Sequence, residues 1–470
     1  MVRKIKNPIT VAILFFGVCA IVLAAPIAVA QNKFLIDVGK AHVRKSLLAF
    51  PALKRLGSAF TAQQEREGDE LYAVIDNDLL TTGLFRQIEP SAFLENPMKT
   101  GLRPSGVEKN AFDFKKWSAI GTEFLIKGGY QVLRGQVILN IYAYYVPKGN
   151  LVLGRRYTAS QFALRRLAHT FANDFVKAVT GKPSFFLHHL VVAIDHGPKT
   201  HREIYTMDWD GYNKHRISFF HSIAVSPSWS PNGRYIAYSC FIRRRIRGLI
   251  RRNLDLLMYD AKTHHTWIVS SRNGSNMGAD FFPDNRYLLV SLTHGRASDI
   301  YKMSRNGHTL VALTHGPGMS LNVEPAISPN GKEIAFSSDR SGRPMIYTMT
   351  SYGTDVKRRT FLGQYNATPA WSPNGKKLAF ASYDKHKQAF DIFIMNADGT
   401  GQVLRLTSAH KPNGRWANNI DPIFTPDGRQ IVFVSNRSGN NQLYIVDTNG
   451  DNERRITHDN LWYYQPKWGP

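Results

Sequence analysis

A four-residue signature returns along the C-terminal half of the chain and limits what it can fold into. Ser230-Pro231-Asn232-Gly233 reappears as Ser328-Pro329-Asn330-Gly331, Ser372-Pro373-Asn374-Gly375 and Thr425-Pro426-Asp427-Gly428. Phe282-Pro283-Asp284-Asn285 is a worn copy, and the last residues, Trp468-Gly469-Pro470, match Trp371-Ser372-Pro373. The six prolines stand at 231, 283, 329, 373, 426 and 470, in steps of 52, 46, 44, 53 and 44 residues. A period of this length built from short strands marks propeller blades: one such unit cannot bury its apolar faces alone and stacks on copies of itself.

The rest of each repeat fits four strands. An alternating strand follows the signature, as in Glu333–Ser337 and Gln430–Val434, and a second follows that, as in Met345–Met349 and Gln442–Val446. Asp210-Gly211, Asn306-Gly307, Asp398-Gly399 and Asn449-Gly450 then fall in one phase, and such pairs suit tight turns because they tolerate positive φ. Arg405-Leu406-Thr407 and Arg455-Ile456-Thr457 read as closing strands. Leu190–Ile194 and Glu203–Asp208 look like second and third strands with no first strand before them, whereas Gln465–Trp468 is a first strand with nothing after it. Closing the ring through the C-terminus resolves both ends. The expected fold is mainly β: a six-bladed propeller whose C-terminal strand completes the first blade, preceded by a small α/β domain.

Three segments are expected: a signal peptide at 1–30, an α/β domain at 31–183 and the propeller at 184–470. Arg3, Lys4 and Lys6 precede an apolar run, Val11 to Ala25, and the small-x-small sequence Ala28-Val29-Ala30. These are the parts of a cleaved secretory signal, and the run is short of the roughly 20 residues a membrane span needs. Cys19 leaves with that segment, so Cys240 is left without an internal disulfide partner. In the middle segment, Leu71, Val74, Ile75 and Leu79 are spaced for one helix face. So are Leu164, Leu167, Ala168, Phe171, Phe175 and Val179. Strands are expected at Glu123–Lys127, Gln136–Tyr145 and Leu151–Tyr157, a surface loop at Asn96–Lys109, and little definition between Gln31 and Gln63.

Charge narrows the partners. The net charge is +25, and the first thirty residues carry three bases and no acid, so +22 remains once they are removed. A secreted chain of that charge meets anionic lipid headgroups or cell-wall polymers sooner than nucleic acid; the alternative is that the charge serves solubility alone. Arg243, Arg244, Arg245, Arg247, Arg251 and Arg252 are crowded where two strands of a blade should join. This is either a solvated hairpin or a patch for an anionic surface. No G-x-S-x-G, G-x-G-x-x-G or P-loop sequence occurs. Asp447–Asp451 resembles the start of a calcium loop, but its glycine is misplaced for one and its phase is that of a hairpin turn. His188-His189 and His264-His265 read as strand neighbours facing opposite ways, which does not chelate. No cofactor and no metal are expected.

One more pattern lies just ahead of the expected inner strands. Asn276, Asn322, Asn366 and Asn419 occupy equivalent positions in four repeats, with Ala224 and Tyr463 in the other two. Such positions surround one mouth of a propeller channel. The amides either cap their own loops or form a polar ring for a docked partner.

The chain resembles the TolB family of the Tol-Pal envelope system over nearly its whole length after the first thirty residues. The resemblance rests on Ala370–Phe380 in the propeller, on Asp208-Trp209-Asp210-Gly211-Tyr212-Asn213, on Asp78-Leu79 with Gly83-Leu84-Phe85, and on Leu164–His169 through Asp174 to Thr180-Gly181. It implies a monomeric, non-enzymatic periplasmic adaptor that supports outer-membrane integrity and invagination during division. It also implies that the peptidoglycan-associated lipoprotein Pal docks at the propeller mouth. The implied positions are Ser275, Asn276, Gly278, Asn322, Val323 and Glu324, with Asn366 and Asn419 completing the ring. The family's mature N-terminus binds TolA, and the corresponding residues here are Gln31, Asn32, Lys33 and Phe34. The competing readings are a propeller-scaffold enzyme acting on an acidic polysaccharide and a polyanion-binding protein.

Overall fold

The computed structural model describes residues 44–57, 60–197, 201–246, 249–316 and 318–470, without the side chains of 244–251. The expected signal segment and Gln31–Phe34 lie outside the described residues.

The chain forms a six-bladed propeller behind an α/β layer. Six four-stranded antiparallel sheets follow one another, and in one of them the terminal strand Trp462–Trp468 pairs with His189–Asp195, which pairs with Arg202–Asp208 and then His215–Arg216. The ring thus closes through the C-terminus.

The signature turns hold by local hydrogen bonds that explain their residues. Ser230 Oγ accepts from Tyr235 N (2.8 Å) and donates to Asn232 Oδ1 (2.8 Å). Ser328 and Ser372 repeat both bonds with Asn330 and Asn374, and Thr425 does so with Asp427. In the worn copy Phe282 has no hydroxyl, and Asp284 Oδ1 takes over the backbone amides of Arg286 and Tyr287 at 2.8 and 3.4 Å. The fourth turn residue needs positive φ: Gly331 has φ 71°, and Asn285 adopts 59° in the worn copy.

The closing strands are shorter than expected, Leu404–Arg405 and Arg454–Arg455, for a similar reason. The hydroxyl that follows replaces the ladder: Ile204, Ile300, Ile346, Ile392 and Leu443 each donate their amide to Ser218, Thr314, Thr360, Thr407 and Thr457, all at 2.8–2.9 Å.

The α/β layer is a six-stranded mixed sheet under two long helices, α1 (Ala62–Thr81) and α3 (Leu164–Thr180), with a short α2 (Phe114–Ala119). Thr61 opens α1 with a reciprocal cap to Gln64. The strands Phe124–Leu133, Gln136–Tyr145 and Asn150–Ser160 form an antiparallel meander. Ser46–Ala49 lies parallel to Phe85–Gln87 and to Phe124–Leu133. That strand falls within the stretch for which the sequence suggests little definition; Leu48 and Ala49 are buried in the sheet. The loop expected at Asn96–Lys109 holds neither helix nor strand. One hydrophobic cluster runs from Leu71, Ile75 and Phe175 in this layer to Trp209, Ile423 and Ile456 in the propeller.

Candidate functional site at the propeller mouth

The strand registers sort each blade's connections onto two faces. The loops before the inner strands and the hairpins between second and third strands open on one face. The signature turns and the Asp-Gly or Asn-Gly turns open on the other. The first face is the mouth at which the asparagines were expected.

Those asparagines are not open to a partner. Asn276, Asn322, Asn366 and Asn419 are each 0% exposed. Asn276 Nδ2 donates to the carbonyls of Leu254 (3.0 Å), Arg272 (2.7 Å) and Gly274 (3.2 Å), and its Oδ1 accepts from Ser270 Oγ at 2.6 Å. Asn322 and Asn419 donate to Asp299 and Asp391 and accept from Arg340 and Arg437. Asn366 donates to Leu362 O and Thr360 Oγ1. Each amide therefore fastens its incoming loop to the preceding blade, so of the two expected readings the structure shows loop clasps and not a ring of amides facing a partner. Ser275 and Val323 beside them are half-buried.

The ring that lines the channel lies two residues further on. In every blade the pairing of first and second strand skips two residues, and the first of these has positive φ: Ser226 (52°), Gly278 (71°), Glu324 (55°), Thr368 (49°), Asp421 (54°) and Gln465 (48°). The second is proline in five blades and Ala279 in the sixth, and a bulge is where a strand tolerates proline. A non-glycine residue in the left-handed region costs on the order of 1–2 kcal/mol, so five of them mark a geometry the ring enforces. These bulges enclose a cavity of about 90 Å³. Side chains reach the next blade's bulge amide: Glu324 Oε2 accepts from Thr368 N (2.7 Å), Asp421 Oδ2 from Gln465 N (3.1 Å) and Gln465 Oε1 from Ser226 N (2.7 Å). Of the expected site residues, Gly278 and Glu324 belong to this ring. The sequence carries a signal for it, a proline four residues before five of the six signature prolines, as in Pro325 and Pro329.

Burial in this channel sets the charge state. Desolvation pushes the Glu324 carboxyl up to about 7, with Asp421 reinforcing it and the Thr368 amide and Lys467 opposing. Desolvation raises Asp421 to about 6 against the Gln465 amide, Lys467 and Arg202. Asp280, which accepts from Ile327 N at 2.8 Å, is raised by the same cause. The channel floor therefore takes up protons near neutral pH.

Around the mouth the loops expose apolar side chains. Met319 and Leu321 precede one inner strand, and Phe361 and Leu362 the next, which Tyr365 begins; Leu362 is 82% and Phe361 70% exposed. Phe219, Phe220 and Ile223 precede a third. Exposed apolar groups around a polar channel are the composition of a protein-binding surface.

Family models match both parts of the chain: the TolB beta propeller domain at residues 176–413 and 368–470, and the TolB amino-terminal domain at 34–148. A Protein TolB homolog from Chlorobium luteolum is 30% identical over 412 residues, 87% of this chain and 86% of its own length. This chain belongs to the TolB family. A Tol-Pal system protein TolB from Syntrophotalea carbinolica is 39% identical over 167 residues, 36% of this chain and 37% of that protein. One from Desulfosudis oleivorans is 28% identical over 303 residues, 64% and 65% of the two chains. The matched segments thus span just over a third and just under two thirds of those two relatives. The crystal structure of TolB from Acinetobacter baumannii superposes with a TM-score of 0.74 at 22% identity, covering 92% of this chain and 98% of that one, a likeness of fold.

Three of the segments that carry the TolB resemblance meet at the joint between α/β layer and propeller, on the face away from the mouth. His169 Nδ1 of α3 lies 2.8 Å from Asp78 Oδ2 of α1, and its Nε2 lies 3.5 Å from Asp210 Oδ2 in the first-blade turn. Arg165 pairs with Asp210 and lies over the Tyr212 ring, 3.5 Å from its centroid. Burial raises the Asp78 carboxyl to about 6 although His169 opposes it. Burial disfavours the His169 imidazolium, but Asp78 and Asp210 more than offset this and its pKa is raised. Arg429 and Gln430 donate to the carbonyls of Thr82 (2.8 Å) and Thr81 (2.7 Å), closing the C-terminal end of α1.

His169, Asp208 and Asp210 could in principle share a cation, since one ligand atom from each lies within 4.8 Å of the others. Arg165 already places its charge on Asp210, and Asp208 accepts from Asn213 and pairs with His189, so the trio is a clasp. His264-His265 lies in a turn and not on a strand as expected: His264 has φ 58° and bonds Tyr259 Oη at 2.7 Å. Asp447–Asp451 is a hairpin turn, with Gly450 N donating to Asp447 O. Cys240 is buried, and burial pushes its thiol up to about 12.

Proposed function

We propose that this chain is the periplasmic adaptor of a Tol-Pal system. In this reading it docks the peptidoglycan-associated lipoprotein at the propeller mouth and supports outer-membrane integrity and invagination during division. The observation that carries the reading is the exposed apolar rim, Met319, Leu321, Phe361, Leu362 and Tyr365, standing over a channel floored by carboxylates. Rigid loops, clasped from below by buried asparagines, present that rim without a large ordering cost. The names of the relatives support the same system. The alternative of catalysis on an acidic polysaccharide would need a convergent set of acid, base and nucleophile, and the channel ring offers mainly acceptors held by backbone amides.

Replacing Met319 and Leu362 with aspartate tests this. Both are exposed, so the fold should keep its melting temperature, while affinity for purified Pal should fall by about 30-fold, the loss expected when hot-spot anchors worth about 2 kcal/mol are removed. Unchanged affinity, or turnover of an acidic polysaccharide without Pal binding, would overturn the proposal. TolA binding is assigned to Gln31, Asn32, Lys33 and Phe34; a chain lacking them should lose TolA and retain Pal.

A further inference from the structure

We infer that the arginine hairpin of the second blade is a docking surface for an anionic phospholipid bilayer. The second and third strands of this blade, Tyr235–Ile246 and Leu249–Asp260, have 12 residues each. The second strands of the other blades have between 6 and 9. The extra length projects past the mouth face, because the inner strand ends its pairing at Ala224 opposite Cys240 and the hairpin continues beyond.

The continuation is built against its own charge. Its register sets Arg243 directly opposite Arg252. Like charges at directly opposed positions destabilise a strand pair, so the hairpin gains when an anionic surface takes up that charge. Arg243 and Arg252 are exposed. They border a cleft of about 740 Å³ whose other walls include Phe220, His221, Ile223 and Phe241. Those three apolar side chains are 40–47% exposed. Glu203, whose carboxylate accepts from His221 N, is buried and already paired with Arg216, so it does not neutralise the rim.

The combination decides between anionic partners. A hydrophilic cell-wall polymer needs cations alone and gains nothing from exposed phenylalanines. A bilayer surface offers phosphates to the arginines and acyl chains to the aromatic groups, which is the division of labour at membrane interfaces. The surface stands on the same face as the apolar rim, but Met319 precedes the inner strand two blades on and Leu362 the inner strand three blades on, so the two readings can fail separately.

The experiment is flotation of the full chain with vesicles of phosphatidylglycerol and phosphatidylcholine, with phosphatidylcholine alone, and with purified peptidoglycan, at low and high salt. Binding is expected to the mixed vesicles only and to weaken with salt. The Arg243→Ala/Arg252→Ala variant should lose affinity roughly 30-fold, at about fivefold per arginine. Phe220→Ser/Phe241→Ser should weaken binding that remains at high salt; melting curves verify that both variants fold. Binding to peptidoglycan but not to vesicles, equal binding to neutral vesicles, or undiminished vesicle binding by the arginine variant would overturn the inference.

Discussion

Glu324 occupies a strained bulge, lines the channel with a second carboxyl, Asp421, and is stabilised by one backbone amide. Its raised pKa means that the folded state holds the proton more firmly than the unfolded chain. The group therefore favours folding at low pH, and that contribution is lost as pH rises from the ordinary 4.5 through about 7. Glu324→Gln keeps the shape of the protonated form. Its melting temperature should exceed that of the parent at about pH 8 and match it near pH 4. An identical difference at both pH values would show that the carboxyl does not titrate in this window. At the joint, His169→Ala removes the hydrogen-bonding partner of the buried Asp78 side chain and should cost about 3 kcal/mol in urea unfolding. Adding Asp78→Asn should recover part of that loss, because the two groups act as one pair.

Single elements owe their fit to contacts that propensity does not report. Gly68 lies in the middle of α1, where alanine would ordinarily add about 1 kcal/mol of helix stability. A methyl group there would fall inside the Tyr130 ring, which is itself buried in the sheet below. Gly68→Ala should therefore destabilise the chain by about 1–3 kcal/mol, measured by thermal or denaturant unfolding, with the sign opposite to the propensity. The glycine is the gap through which helix and sheet approach. The closing strands show the same override: each is cut to two or three residues in four blades because a threonine hydroxyl supplies the next ladder bond.

Over the whole molecule, closure distributes stability around the ring. The strand Trp462–Trp468 shields the edge of His189–Asp195 and brings Gln465 and Lys467 to the channel. Deleting residues 462–470 exposes that edge and removes one wall of the cavity. The shortened chain should lose its single cooperative melt and associate in size-exclusion chromatography. A monomer with an unchanged transition would show that five blades and three strands of the sixth suffice. The α/β layer is fastened to the first and last blades through the shared hydrophobic cluster and the Asp78–His169–Asp210–Arg165 clasp, so mouth and joint lie on opposite faces of one body.

The sequence by itself determined the blade number, the strand order within a blade and the closure. These rest on interactions between residues a few positions apart, such as the Ser328 hydroxyl with Asn330 and Glu333, which four of the repeats restate. It also pointed to the mouth through the four asparagines, but not to their burial. Asn276 is satisfied by Leu254 and Ser270, on strands of the preceding blade that only the packing of one blade on the next brings to it. The channel ring was half legible: the inner-strand prolines mark the bulges, while the raised carboxyls of Glu324 and Asp421 arise from desolvation between blades about a hundred residues apart. The joint was legible only as three separate motifs. Periodicity reports what a residue does within its own repeat; which repeats face one another, and how dry the space between them is, is decided by the closed ring.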